Sequence, residues 1–86
     1  MKETQNNPTI KLYGANRCDK TQFYIHFLNE TELPYEFLDV EINKDHAEEL
    51  RGLYTHRKLS FPTLTIGSKK LRNPPTKELK KWLIKI

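Results

Sequence analysis

The one cysteine of this chain, Cys18, is the residue best placed to do chemistry. It stands in Lys11-Leu12-Tyr13-Gly14-Ala15-Asn16-Arg17-Cys18-Asp19-Lys20-Thr21, where a short apolar strand runs into a turn and the turn opens a helix. The first turn of a helix presents N–H groups without partners and a partial positive charge. A thiolate is stabilised there, and the thiolate is the nucleophilic form of sulfur. Arg17 and Lys20 add positive charge to that environment, and Asp19 opposes them. Thr21 falls on the same helix face three residues on; its hydroxyl either bonds the sulfur or serves the backbone of the first turn. Forty-four residues after Cys18, in Ser60-Phe61-Pro62-Thr63-Leu64-Thr65-Ile66, Pro62 opens another strand.

Other reactive residue types do not converge. His26 sits on a polar helix stripe, His46 in a first helical turn and His56 in a loop. They read as solvent-exposed, and no metal site is expected from their spacing. No paired-carboxylate site or glycine-rich phosphate loop is visible, and Gly14 reads as a lone turn glycine. The loop Thr55-His56-Arg57-Lys58 is basic; Arg57 and Lys58 either hold a substrate carboxylate near Pro62 or are simply solvated. A single cysteine excludes an internal disulfide framework and a four-cysteine zinc site.

The elements that must position Cys18 alternate between strand and helix. Thr9–Tyr13 is a strand with Ile10 and Leu12 on one face. A first helix runs from Asp19 to about Asn29, with Phe23, Tyr24, Ile25, Phe27 and Leu28 making much of its circumference apolar. Pro34 blocks its continuation. Tyr35–Val40 is a second strand, and Asp45 begins a second helix to about Tyr54, with Ala47, Leu50 and Leu53/Tyr54 facing inward. Thr63–Ile66 and Lys69–Leu71 form a hairpin about Gly67-Ser68. The last helix starts either with Asn73 as cap and Pro74 at the first helical position, or with Thr76 as cap. Leu79, Trp82, Leu83 and Ile86 give it a core face. The first two strands are joined through a helix and are expected to be parallel, with a right-handed crossover.

Eighty-six residues make one domain. Residues 1–8 read as a polar N-terminal tail without an apolar signal segment, and residues 9–86 as the domain. No apolar run approaches membrane-spanning length, so no membrane partner is expected and the cytoplasm is the expected location. The net charge of +4 is unevenly spread: residues 28–50 hold eight acids against Lys44, and residues 69–86 hold seven bases against Glu78. The aromatics are not interleaved with these bases, and Trp82 is assigned to the core. The basic run reads as a solvated face rather than a nucleic-acid surface.

The order β-α-β-α-β-β-α, with a cysteine after strand one and a proline opening strand three, resembles the thioredoxin fold in its minimal glutaredoxin form. The resemblance covers about residues 9–86. It rests most specifically on Leu12-Tyr13 through Cys18-Asp19-Lys20-Thr21, similar to the family's Cys-x-x-Cys or Cys-x-x-Ser site with Thr21 in the last place. It rests next on Phe61-Pro62-Thr63, at the place of the family's Thr-Val-Pro segment. The resemblance implies an α/β fold, a four-stranded mixed sheet flanked by helices, and a cis bond before Pro62. It implies Cys18 and Thr21 as the catalytic pair, with Arg17, Lys20, Phe61, Pro62 and Thr63 around the substrate or glutathione.

Three departures mark the chain. The lysine that glutaredoxins often carry before the cysteine is replaced by Ala15-Asn16-Arg17. Monothiol members that hold iron–sulfur clusters have Cys-Gly-Phe-Ser, where Asp19 and Lys20 stand here. The Gly-Gly-x-Asp-Asp stretch that holds the amino end of glutathione reads Arg72-Asn73-Pro74-Pro75-Thr76. With one sulfur, the implied route is monothiol: Cys18 attacks a mixed disulfide, and glutathione or another small thiol completes the cycle. The expected partners are that thiol and a protein or mixed-disulfide substrate. No bound cofactor is expected, glutathione serving as co-substrate, and the chain is expected to be a monomer. Two other readings stand beside this one. The first is a non-catalytic binding module using the Pro62 strand edge and the basic last helix. The second is an arsenate-reductase-like thiol, since Arg17-Cys18-Asp19-Lys20-Thr21 is similar to that family's Cys-x-x-Ser anion loop and Asn73-Pro74-Pro75-Thr76 resembles a motif that lies earlier in those proteins; they are longer, with an insertion absent here.

Overall fold

The computed structural model describes residues 9–57 and 59–84. The expected N-terminal tail, Lys58 and the core role of Ile86 lie outside the described residues. Within them the chain forms β1 (Ile10–Gly14), α1 (Asp19–Thr31), β2 (Glu36–Asp39), α2 (Lys44–Arg51), β3 (Thr63–Ile66), β4 (Lys69–Arg72) and α3 (Thr76–Ile84). The sheet order is β2-β1-β3-β4. β1 and β2 run parallel through α1, whereas β3 runs antiparallel to both β1 and β4.

The period of two along each strand separates two cores. Ile10, Leu12, Leu64, Ile66 and Leu71 point to one face, where Tyr24 and Leu28 of α1 and Leu79 and Leu83 of α3 close over them. Tyr13, Leu38 and Val40 point to the other face and are covered by Ala47 and Leu50 of α2. Leu12, Leu28, Leu50, Leu64 and Leu79 are wholly enclosed, each contributing about 1.5–3 kcal/mol of burial. Among the described residues, no helix is long and apolar enough to cross a membrane.

Element ends depart from the sequence reading for local reasons. α1 continues past Asn29 to Thr31, and the chain turns at Glu32, whose φ of 61° lies in the left-handed region. Phe23 is half exposed, so the apolar surface of α1 is wider than its core face. α2 begins at Lys44 because the Asn43 side chain accepts from the N–H groups of Asp45 and His46. It ends at Arg51, before Gly52, so Leu53 and Tyr54 lie in the following turn and not in the helix. Neither expected start of α3 holds. Asn73 has φ 48°, Pro74 lies outside the helix, and Thr76 is its first residue. The first helical bond runs from the Leu79 N–H to the Pro75 carbonyl at 3.0 Å. The aromatics also meet the bases after all. Trp82 packs only partly against the core, and the ammonium groups of Lys69 and Lys81 lie 4.7 Å and 5.9 Å from its ring centre.

Candidate active site

β1 ends at Gly14, and the chain turns through Ala15-Asn16-Arg17 before α1. The Cys18 N–H closes that turn on the Ala15 carbonyl at 2.9 Å. Cys18 is extended (φ −83°, ψ 125°) and is the N-cap residue of α1; its carbonyl accepts from the Gln22 N–H at 3.0 Å. Its thiol makes no capping hydrogen bond and is partly exposed. The helix end nonetheless favours the thiolate. The Thr21 N–H, then the Thr21 hydroxyl, pull the Cys18 pKa below the ordinary thiol value. The Lys20 N–H adds to this, while partial burial and the Asp19 carboxylate oppose it.

Thr21 serves the backbone of the turn before α1, and its hydroxyl also favours the Cys18 thiolate. Its Oγ1 accepts from the Ala15 N–H at 3.3 Å, and its hydroxyl is the second cause of the lowered Cys18 pKa. It is fully buried against β1. Gly14 makes that possible: a Cβ there would lie 2.5 Å from Thr21 Oγ1 and 2.7 Å from its Cγ2. Gly14 is thus a close-approach residue at a strand end and not a turn glycine.

The charges near Cys18 in sequence are used differently. Arg17 turns to Glu41, its Nε and Nη2 donating to the two carboxylate oxygens at 2.9 Å and 2.5 Å. That pair satisfies its charge, and the Cys18 thiolate is the smallest cause of the raised Arg17 pKa. Lys20 is exposed and acts on the sulfur through its backbone N–H.

The second segment comes to the same end of the sheet. Thr63 pairs with Tyr13 on one side and Arg72 on the other. The start of β3 therefore lies beside the end of β1, where the Cys18 turn begins. The Phe61–Pro62 bond is cis. Phe61 packs partly against the Tyr13–Leu38 core, and Pro62 is buried. The Pro62 carbonyl accepts from the Asn73 N–H at 2.9 Å, and the Thr63 hydroxyl donates to the Ser60 carbonyl at 2.8 Å.

A brace links this segment to α1. The buried Tyr24 hydroxyl donates to the Pro74 carbonyl at 2.5 Å and lies 3.4 Å from Asn73 Oδ1. Burial raises its pKa. The sequence signal for this brace is a hydroxyl on the core face of a helix, which needs a partner when buried.

On the α2 face, the Tyr13 hydroxyl donates to Glu49 Oε2 at 2.6 Å, and Lys11 donates to the same oxygen at 3.0 Å. Burial, then the hydrogen bond to Glu49, pushes the Tyr13 pKa well above its ordinary value. A cleft of about 630 Å³ opens on this face, lined by Thr9, Lys11, Tyr13, Glu49 and Lys70 among others. None of its lining residues belongs to the Cys18 turn or to Phe61–Thr63, so the cleft and the Cys18 thiol do not coincide. His46 is half-buried and not exposed as its sequence position suggested, and its Nδ1 is enclosed without a hydrogen-bond partner. Arg57 pairs with Glu48. No group of three or more potential ligands among the described residues is placed to hold a metal.

No protein-family model and no curated protein matches the chain. Solved structures do. A point mutant of the thioredoxin-like protein BC3987 superposes with a TM-score of 0.75 at 24% identity, covering 87% of this chain and 99% of the other. BC3987 itself gives 0.73 at 23% identity, over 85% and 97%. The glutaredoxin of Archaeoglobus fulgidus gives 0.75 at 16% identity, over 88% and 86%. The chain therefore has the thioredoxin fold, an α/β architecture with a four-stranded mixed sheet between helices.

Proposed function

We propose that the chain carries out thiol–disulfide exchange with Cys18 as its only thiol. The observation that carries this reading is the position of Cys18 at the start of α1, where the N–H groups of Thr21 and Lys20 and the Thr21 hydroxyl favour the thiolate. Cys18 thiolate attacks one sulfur of a disulfide R–S–S–R′. A Cys18–S–S–R bond forms, the S–S bond of the substrate breaks, and R′–S⁻ leaves with the electron pair. A second, external thiolate R″–S⁻ then attacks R–S of the mixed disulfide, giving R–S–S–R″ and restoring Cys18 thiolate. The net result is exchange of R′ for R″, with no electron unaccounted for.

Glutathione or another small thiol takes the external role, and a protein or glutathione mixed disulfide is the substrate. No bound cofactor enters the cycle. A reducing, cytoplasmic setting would supply the thiol.

The test is the pH dependence of Cys18 alkylation by iodoacetamide, with Cys18→Ser as the blank, followed by reduction of a glutathione mixed disulfide. The reading expects an apparent pKa below the free-thiol value of about 8.5 and turnover lost in Cys18→Ser. A pKa at or above the free-thiol value removes the chemical premise.

A further inference from the structure

Two stretches far apart in sequence meet next to the Pro62 segment. Tyr54 and His56, in the connection from α2 to β3, stack with ring centres 5.2 Å apart and planes 8° from parallel. Arg72, at the end of β4, lies over the Tyr54 ring at 4.8 Å, and its Nη2 is 3.4 Å from His56 Nε2. Lys70 approaches the same ring at 5.5 Å and donates to the Leu53 carbonyl at 2.8 Å. Arg72 is the strand partner of Thr63, and its neighbour Asn73 bonds Pro62. Arg72 therefore sits one strand away from Thr63, about 5 Å between strand axes, and Lys70 lies two residues further along, opposite Thr65.

Lys11, Arg17, Arg51 and Arg57 each meet a glutamate, whereas neither Lys70 nor Arg72 pairs with a carboxylate of any described residue. Aromatic faces and a carbonyl hold these two cations, and such partners orient a cation while leaving its charge available to an anion. Exposed lysines on an edge strand also discourage edge-to-edge pairing, and Lys69 fits that duty. That duty does not call for an arginine laid over a tyrosine ring beside a histidine.

Building on Cys18 as the exchanging thiol, we infer that Tyr54, His56, Lys70 and Arg72 form a subsite for a carboxylate of the substrate, so that the protein selects anionic disulfides. Charge at the rim of a site acts mainly through encounter and orientation, so the preference weakens with salt.

Two aromatic disulfides test this on the intact chain: dithiobis(nitrobenzoate), with a carboxylate on each ring, and neutral dithiodipyridine. With each, Cys18 thiolate forms a Cys18–S–S–aryl bond and expels an aryl thiolate or thione whose absorbance gives the rate. The readout is the ratio of the anionic to the neutral rate. Arg72→Gln is expected to lower that ratio about fivefold, the size of one charge contact at a partly exposed site. Arg72→Lys keeps the charge and is expected to keep most of the ratio, and added salt lowers it in the parent chain. An unchanged ratio in Arg72→Gln overturns the inference. So does a parallel loss of both rates, which would make Arg72 a structural support. If Cys18 reacts no faster than free cysteine with either reagent, the exchange function fails, yet the ratio is still read from the slow reaction and the two failures stay distinct.

Discussion

Substituting Gly14 by alanine probes the contact that seats Thr21 against the end of β1. The new methyl would meet Thr21 Oγ1 at 2.5 Å and Cγ2 at 2.7 Å, where ordinary contact needs about 3.5 Å. Thr21 must therefore retreat by about 1 Å, and it is completely buried. Overpacking of this kind costs about 2–3 kcal/mol. Restricting the unfolded chain offsets about 0.5–1 kcal/mol of that, since φ at Gly14 is not positive. The net loss is about 1–2.5 kcal/mol, a large share of a total on the order of 5–10 kcal/mol for a domain this size. In a Thr21→Ala background both close atoms are gone, and only Cβ remains at 3.1 Å. Gly14→Ala should then be nearly neutral, giving a coupling of about 1–2.5 kcal/mol across the double-mutant cycle. Urea unfolding of the four proteins measures this. Additivity to within about 0.5 kcal/mol would refute the packing account. The same Gly14→Ala chain should show a raised Cys18 pKa by alkylation, because a displaced Thr21 hydroxyl no longer adds to the backbone N–H groups that favour the thiolate.

Three further outcomes follow from the geometry. Tyr24→Phe removes the donor to the buried Pro74 carbonyl and should lower stability by about 1–2 kcal/mol; an unchanged urea midpoint would mean that the carbonyl is served by water. Arg17→Gln should leave the Cys18 alkylation profile where it is, because Glu41 already matches the Arg17 charge, and an upward shift would show that Arg17 serves the sulfur. Glu49 is held below its ordinary 4.5 by the hydrogen bonds from Tyr13 and Lys11. A depressed folded-state pKa gives stability that is present above the ordinary value and is lost as pH falls through the folded one. Acid titration of stability should thus show a descending limb below about pH 4.5 that Glu49→Gln flattens.

How far the fold can be read from sequence depends on whether the signal is local. Thr63–Ile66 is legible to the residue because Pro62 and Gly67-Ser68 bracket it. Cys18 is readable at the helix start because Gly14 and Asn16 end the strand before it. The end of α2 misleads because Leu53 and Tyr54 continue the helical spacing beyond Gly52, which stops the helix. Asn73 misleads because asparagine suits both a cap and a left-handed turn, and its N–H is claimed by Pro62 from the other side of the hairpin. Arg17 is next to Cys18 in the chain, yet its partner is Glu41, 24 positions on. The contact of Arg72 with Tyr54 joins β4 to the turn after α2, and no periodicity announces it.

The sheet ends in two open strands that carry opposite charge. β2 reads Glu36-Phe37-Leu38-Asp39, and β4 reads Lys69-Lys70-Leu71-Arg72. Each edge repels its own kind and suits the other. Copies that meet edge to edge in concentrated solution therefore do so head to tail, a heterologous contact that extends into rows and does not close as a dimer. The attraction reaches about 30 Å at 0.01 M salt and only about 8 Å at physiological strength. Concentrated samples should salt in, scattering less light and flowing more freely as ionic strength rises, the reverse of what an exposed apolar face would cause.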